Sequence, residues 1–212
     1  MCSGRVDMAF VLRAFANGAD GVFIGGCWLG ECHYVTEGNY DALSMMHLTR
    51  KVLEQIGVNP ERLRLEWISG SEGMRYAEVM NDFGRKLKEL GPIGSGEGIE
   101  KSALKLKFEA VKKILPYLKL VERERLRVRF KTEEEYNEFF SSDEVNGLMR
   151  DVIADKLAIS QITTLLRRGP LSTRDISAVL SLKPAEVGRH LNSSARQGLV
   201  RYDESRKLYA IA

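Results

Sequence analysis

The sequence predicts an α/β protein: a small three-layer parallel-sheet domain that lacks its first strand, followed by a mainly helical region ending in a winged helix-turn-helix. Three observations carry this expectation. Short apolar runs alternate with amphipathic helical stretches through residue 90. The glycine-rich segment "GPIGSGEG", residues 91–98, then interrupts the pattern. The final stretch, residues 157–212, reads as three helices and a hairpin.

The elements follow from periodicity and punctuation. In "VDMAFVLRAFANG", Val6, Phe10, Val11, Ala14 and Phe15 fall at helical spacing, and Gly18 supplies the stop. "GVFIGG" is an apolar run between glycines, as in a strand buried on both faces. Residues 41–56 give a second helix, closed by Gly57 and Pro60. "RLRLEWIS" sets Leu63, Leu65 and Trp67 against Arg64, Glu66 and Ile68, the alternation of a strand. "SEGMRYAEVMNDFGRKLKEL" is a third helix, with Ser71 as its expected N-cap and Gly91-Pro92 as its stop. This order implies parallel strands joined by crossovers, with ligands expected at their carboxyl ends. Cys2 stands before the first helix with no strand leading into it, so the chain reads as beginning inside a βα unit.

The expected division is 1–92 for the first domain, 93–98 for a flexible linker, 99–156 for a helical connection and 157–212 for the winged helix. Within the connection, a helix from Ile99 is expected to break at Pro116, and "RLRVRF" reads as a strand with one solvated face. Residues 132–140 and 144–157 read as helices. The last segment has a helix ending at Gly169-Pro170. A second helix is capped by Ser172, with Ile176, Val179 and Leu180 as its apolar face. The third opens at Pro184 and buries Val187, Leu191 and Ala195. "LVRYDESRKLYAI" is the two-stranded wing.

Composition narrows the function classes. With 212 residues, 44% apolar and 29% charged, the chain is globular in type. No apolar run is long enough for a membrane span and no signal peptide opens the chain, so a cytoplasmic protein is expected. A net charge of +3 is too small to argue for nucleic acid from the whole chain. From residue 157 onward, however, nine Lys or Arg face four acids, leaving +5. The candidate recognition helix, Pro184 to Gln197, offers Lys183, Arg189, His190, Asn192, Ser193 and Arg196 as exposed nucleic-acid contacts. Winged helices also serve as protein-interaction modules, and the sequence leaves both uses open.

All three cysteines, Cys2, Cys27 and Cys32, lie in the first 32 residues, a poor disulfide framework that points to metal or redox chemistry. They also fit the role of small buried apolar residues. In "GGCWLGECHY", glycines allow the backbone to wrap closely, and C-x₄-C is a spacing used by [2Fe–2S] proteins. Three thiols are one short of the common four. A preceding segment or His33 is the candidate fourth donor, and zinc bound by three cysteines and one histidine is a minor alternative. Trp28 either shields such a group or packs on a helix, Arg5 either pairs with a carboxylate or lies on the surface, and Asn39 and Tyr40 close the loop. "GSGEG" fails as a phosphate loop because no strand precedes it and no lysine–serine pair follows.

"CSGRVD", "AFANGADGVFIGGCWLGECHY", "GNY" and "LRLEWISGSEG" together resemble the delta subunit of methyl-viologen-reducing (F420-non-reducing) hydrogenase. The resemblance runs almost continuously to about residue 92. It implies an electron-transfer subunit of an oxidoreductase complex, holding a [2Fe–2S] cluster through Cys2, Cys27 and Cys32 and carrying no catalytic residue of its own. Its implied partners are a hydrogenase or formate dehydrogenase as donor and the flavin subunit of heterodisulfide reductase as acceptor, in support of flavin-based electron bifurcation; the FAD belongs to that partner. The family has a further N-terminal segment with a Cys-x₂-Cys-type element and the first strand, so the chain from Met1 reads as truncated. The extension at 99–212 is not part of the family pattern, and a redox-sensing DNA-binding regulator is the alternative it raises.

Overall fold

The computed structural model describes residues 2–35 and 37–212; the expectation attached to Met1 lies outside them. Two compact units are present. The first runs up to Glu100 and takes in Tyr117–Gly147, and the second joins Lys101–Pro116 to Leu148–Ala212. The first unit is therefore built from two stretches of chain, as is the second.

The first unit is centred on a two-stranded parallel sheet. Strands β1 (Val22–Gly26) and β2 (Leu63–Trp67) pair in register from Val22 opposite Leu63 to Gly26 opposite Trp67. Helix α1 (Met8–Ala16) is capped by Asp7, whose carboxylate accepts from the Ala9 N–H at 2.7 Å. It packs with α2 (Asn39–Gln55) on one side of the sheet, and Val11, Phe15, Leu43, Leu48, Leu53 and Leu63 form the buried layer there. Each such side chain contributes about 1.5–3 kcal/mol by leaving water. On the other side, Phe23 meets Tyr76 and Phe83 of α3 (Gly73–Leu90), while Arg64 pairs with Asp82 at 2.6 Å. The small three-layer α/β arrangement is thus present, with two strands.

Several local expectations are corrected. Ser71 does not cap α3: Glu72 holds that position, and its carboxylate accepts from the Ser69 N–H at 2.6 Å. Helix α4 (Lys101–Val121) runs through Pro116 rather than ending before it. Losing one backbone donor is tolerated because Leu118 and Val121 beyond it are buried. "RLRVRF" forms no strand. Glu122–Leu126 is a π-helical turn, and the stretch after it has no strand beside it. It is pinned instead by the Tyr136 hydroxyl donating to the Val128 carbonyl at 2.9 Å. Helices α5 (Glu133–Ser141) and α6 (Asp143–Leu148) follow, α5 carrying a Thr132/Glu135 capping box.

Residues 93–98, expected as a flexible tether, are bound into the first unit. Arg62 is fully buried and donates to the carbonyls of Asp20, Leu90 and Gly91 and to Glu97, at 2.5 Å for the last. Glu97 in turn accepts from the N–H groups of Asn59 and Gly94.

In the second unit, a π-helical turn at Met149–Ala154 leads into α7 (Asp155–Leu166). Helix α8 (Thr173–Leu180) opens on a Ser172/Asp175 capping box, and α9 (Pro184–Arg196) opens on Pro184. Between them Ser181 takes the left-handed conformation that turns the chain. Strands β3 (Val200–Asp203) and β4 (Leu208–Ile211) form the antiparallel wing, and Leu171 pairs with Tyr209 beside it. Ile162, Leu165, Leu166, Ile176, Leu180, Val187, Leu191 and Val200 form the core, together with Leu106 from α4. Two residues expected inside are outside, Val179 and Ala195, and Ser194 takes the buried place on α9. Among the described residues no helix is long and apolar enough to cross a membrane.

Candidate functional site

The three cysteines meet at the carboxyl end of the parallel sheet. Cys27 directly follows β1, Cys32 closes the loop after it, and Cys2 precedes the 3₁₀ turn Ser3–Arg5. Cys2 Sγ and Cys32 Sγ are 3.6 Å apart. Cys27 lies beside Cys32 and feels the charge of both Cys32 and Cys2. Burial pushes the Cys27 thiol above its ordinary value, and the neighbouring Cys32 and Cys2 push it further. Cys32 moves the other way. Burial opposes its ionisation, but the N–H groups of Asn39 and Tyr34, then the Cys2 and Cys27 thiols, outweigh it. Clustered thiolates repel, so holding all three ionised needs a cation among them.

Backbone geometry makes room for the sulfurs. Gly38 sits at φ +67°, and a Cβ there would come within 2.6 Å of Cys32 Sγ and 3.1 Å of Cys2 Sγ. Only glycine combines that dihedral with that approach. A Cβ on Gly4 would collide with the Gly38 carbonyl oxygen, so two glycines press the Cys2 turn onto the loop. Asn39 is fully buried: its Nδ2 donates to the Cys27 carbonyl at 2.9 Å and the Trp28 carbonyl at 2.8 Å, and lies 3.9 Å from Cys27 Sγ. Its Oδ1 and the Ser3 Oγ are buried with no protein partner. Thiol donors, a side-chain-free cradle and orphaned polar atoms suit an inorganic cluster, although no group of three or more His, Cys, Asp or Glu among the described residues forms a ready-made metal shell.

The other sequence candidates are placed as follows. His33 is exposed and lies edge-on to Tyr34, 5.3 Å between rings, rather than among the thiols. Trp28 packs on α3, donating from Nε1 to Glu72 at 2.8 Å beneath the Arg75 guanidinium at 4.9 Å. Arg5 is exposed and lines a cavity of about 350 Å³ with Asp7, Asp41, Lys119, Glu122 and Arg127. Tyr40 stacks on Tyr136 at 6.0 Å. Sequence reasoning gave no role to Gly38 or Ser3. The glycine preceding "NY" was the available signal for Gly38; nothing in the sequence marked Ser3.

On the second unit, Lys183, Arg189, Asn192 and Arg196 are exposed along α9 and Ser193 is half-buried. His190 is corrected: it is buried, at 3% exposure. The 3.6-residue period explains this, since Val187, His190, Leu191 and Ser194 share the core-facing stripe. Its Nε2 lies 3.8 Å from Asp155 and 3.7 Å from Glu186, and the Arg189 guanidinium lies 3.6 Å from the same Asp155. Arg201, Arg206 and Lys207 of the wing are exposed beside it in sequence.

Comparison with known proteins agrees with both halves. Residues 160–202 match the bacterial regulatory protein family described as arsR. Residues 1–91 match the family described as methyl-viologen-reducing hydrogenase, delta subunit. The F420-non-reducing hydrogenase iron-sulfur protein of Archaeoglobus profundus is 57% identical over 92 residues, covering 43% of this chain and 66% of that protein. The vhu-type iron-sulfur protein of the same kind of hydrogenase from Methanopyrus kandleri is 35% identical over 92 residues, 43% of this chain and 69% of its own length. A component of the ferredoxin/F420H2-dependent CoB-CoM heterodisulfide reductase of Methanosarcina acetivorans is 50% identical over 95 residues, 45% of this chain but 12% of that much longer protein. Through its first 91 residues, the chain belongs to the family of methyl-viologen-reducing hydrogenase delta subunits.

Proposed function

We propose that this protein is an iron–sulfur electron-transfer subunit, relaying electrons from a hydrogenase or formate dehydrogenase to the flavin subunit of heterodisulfide reductase. The observation that carries the reading is the pairing of Cys2 and Cys32 over Gly38, with Cys27 beside them at the end of β1. Cys2, Cys27 and Cys32 would hold a [2Fe–2S] cluster, which supplies one-electron redox chemistry when bound. The residues of this chain bind, orient and shelter it. Gly38 gives the sulfurs space, and the N–H groups of Asn39 and Tyr34 favour the thiolate at Cys32. The Trp28–Glu72 bond holds the loop against α3. Relatives named as iron-sulfur subunits of hydrogenase, and one named as part of a heterodisulfide reductase, support the placing. The full chain, purified and reconstituted anaerobically, is expected to retain iron and sulfide and to show a cluster signal by electron paramagnetic resonance on reduction. Retention of the same iron by a Cys2→Ala, Cys27→Ala, Cys32→Ala triple variant would overturn the reading.

A second reading concerns the second unit alone: it binds DNA, and the chain acts as a redox-sensing regulator. The match over residues 160–202 and the exposed row Lys183, Arg189, Asn192 and Arg196 favour it. Phosphate contacts release counterions, so binding must fall steeply with salt. Fluorescence anisotropy on duplex DNA from low to high ionic strength tests this, and a flat response at low salt excludes it.

A further inference from the structure

We infer that Cys2 and Cys32 are a reversible disulfide pair, closed by exchange with a low-molecular-weight disulfide when the thiols are free, and that Cys27 is the thiol left over. Two observations carry it. Cys2 Sγ and Cys32 Sγ stand 3.6 Å apart across a sequence separation of 30. Both also lie against Gly38, where a Cβ would come within 3.1 Å of the first and 2.6 Å of the second. The residue that faces both sulfurs therefore has no side chain to separate them. The disulfide stands on this geometry alone; its consequence for metal uptake rests on the iron–sulfur reading of the site.

A disulfide holds its sulfurs about 2.05 Å apart, so closure shortens the gap by about 1.5 Å, a shift that small rotations of the two side chains supply. The backbone beside Cys2 is already fixed, since its carbonyl accepts from the Arg5 N–H at 3.0 Å. Cys27 is tied elsewhere: Asn39 Nδ2 donates to the Cys27 and Trp28 carbonyls at 2.9 and 2.8 Å. The two partners differ in access, Cys2 being half-buried and Cys32 buried at 6% exposure. That difference assigns the order of exchange. The Cys2 thiolate attacks one sulfur of the small disulfide, forming a mixed disulfide and releasing one small thiolate. The Cys32 thiolate then attacks the Cys2 sulfur, forming the Cys2–Cys32 bond and expelling the second small thiolate. The two cysteines are oxidised, the small disulfide is reduced, and the two cysteine protons end on the two released thiols. The bond consumes two of the three thiols that would hold the cluster, and metal binding needs thiolates, so the chain must be reduced before it loads.

The test uses the full chain, freed of metal by a chelator under dithiothreitol, desalted anaerobically and treated with oxidised glutathione. It is then alkylated with iodoacetamide and digested after glutamate. Cleavage after Glu31 parts Cys27 from Cys32, so mass spectrometry distinguishes every pairing. Cys2 joined to Cys32 is expected as the major disulfide, with Cys27 alkylated, and Cys27→Ser is expected to form the same bond. Cys32→Ser is expected to stop at glutathione on Cys2, and Cys2→Ser to leave Cys32 reduced. Dominant pairing of Cys27 with either partner, or glutathione adducts without an internal bond in the wild type, overturns the inference. Cobalt(II), whose thiolate complexes absorb visibly, reads the consequence. The oxidised chain is expected to bind it at least tenfold less than the reduced chain, and to recover after dithiothreitol and desalting; equal binding overturns the link to metal uptake. A reduced wild-type chain that holds neither cobalt nor iron defeats the electron-transfer reading instead, and the disulfide map still decides the pair.

Discussion

Gly38 and Cys32 approach so closely that a single methyl group on Gly38 would lie 2.6 Å from the Cys32 sulfur. The same methyl would stand 3.1 Å from Cys2 Sγ, and the residue holds φ at +67°. Space and dihedral make the same demand. Gly38→Ala is therefore expected to cost about 1–3 kcal/mol and to reduce retained iron. Gly30 is the internal control. It also has positive φ, at +85°, but nothing lies within 4 Å of its would-be Cβ. Gly30→Ala is expected to cost about 1–2 kcal/mol through its dihedral alone and to leave iron binding intact. Denaturant midpoints and iron counts on the two variants check this, and equal loss of iron in both would refute the contrast.

The buried ion pair behind the glycine-rich segment leads to a second expectation. Arg62 has no exposure, and Glu97 is its charged partner at 2.5 Å. Glu97→Ala leaves a buried guanidinium without its counter-charge, a loss of about 3–5 kcal/mol. Lengthening the exposed turn at Ser95 by contrast is expected to cost little, since loop closure depends weakly on length. Chemical denaturation separates the two. Burial alone would raise the Glu97 carboxyl, but Arg62 and the N–H groups of Asn59 and Gly94 hold it below the ordinary value. Its contribution is thus present above about pH 4.5 and disappears as pH falls through the lowered value.

His47 gives a pH dependence of its own. It lies on α2, stacked on Phe140 at 4.7 Å between ring centres and 11° between planes. Burial lowers it to about 4 from 6.5, and the Arg50 and Lys51 charges add to this. Above pH 6.5 the ring is neutral folded or unfolded. Between 6.5 and 4 only the unfolded chain takes up the proton, so folding stability falls with pH by up to about 3 kcal/mol. Urea midpoints from pH 7 to pH 4 should fall more steeply for the wild type than for His47→Gln. Parallel curves would rule this out.

Much of this was legible in the sequence. The strands at 22–26 and 63–67, the cysteine loop at the sheet's carboxyl end and the helix-turn-helix with its wing all followed from local periodicity and stop signals. What escaped was set by long-range packing. Nothing near "GPIGSGEG" announces that Arg62, some thirty residues away, will bind it down. "RLRVRF" alternates like a strand, but alternation needs a neighbouring strand to pair with, and Leu126 is buried at the end of a π-helical turn instead. His190 looked exposed because polar residues surround it in sequence, whereas helical phase places it with Val187 and Leu191. Leu106 joined the winged-helix core from a segment half a hundred residues upstream, which no local pattern could reveal.

The second unit carries the final expectation. Asp155 stands 3.6 Å from the Arg189 guanidinium and 3.8 Å from buried His190 Nε2, so one carboxylate would compete with any phosphate brought to α9. Arg189 and Asp155 are both substantially exposed, and a pair of that kind contributes roughly 0–1 kcal/mol. If the helix binds DNA, Asp155→Asn should strengthen binding by a few fold, because Arg189 is released and a negative charge is removed. Arg196→Ala should weaken binding on every sequence alike and reduce the slope of log K against log salt by about 1. Anisotropy titrations at several salt concentrations read all three quantities. Asp155→Asn binding more weakly than wild type, with its fold intact, would show that Asp155 supports the helix rather than restraining it.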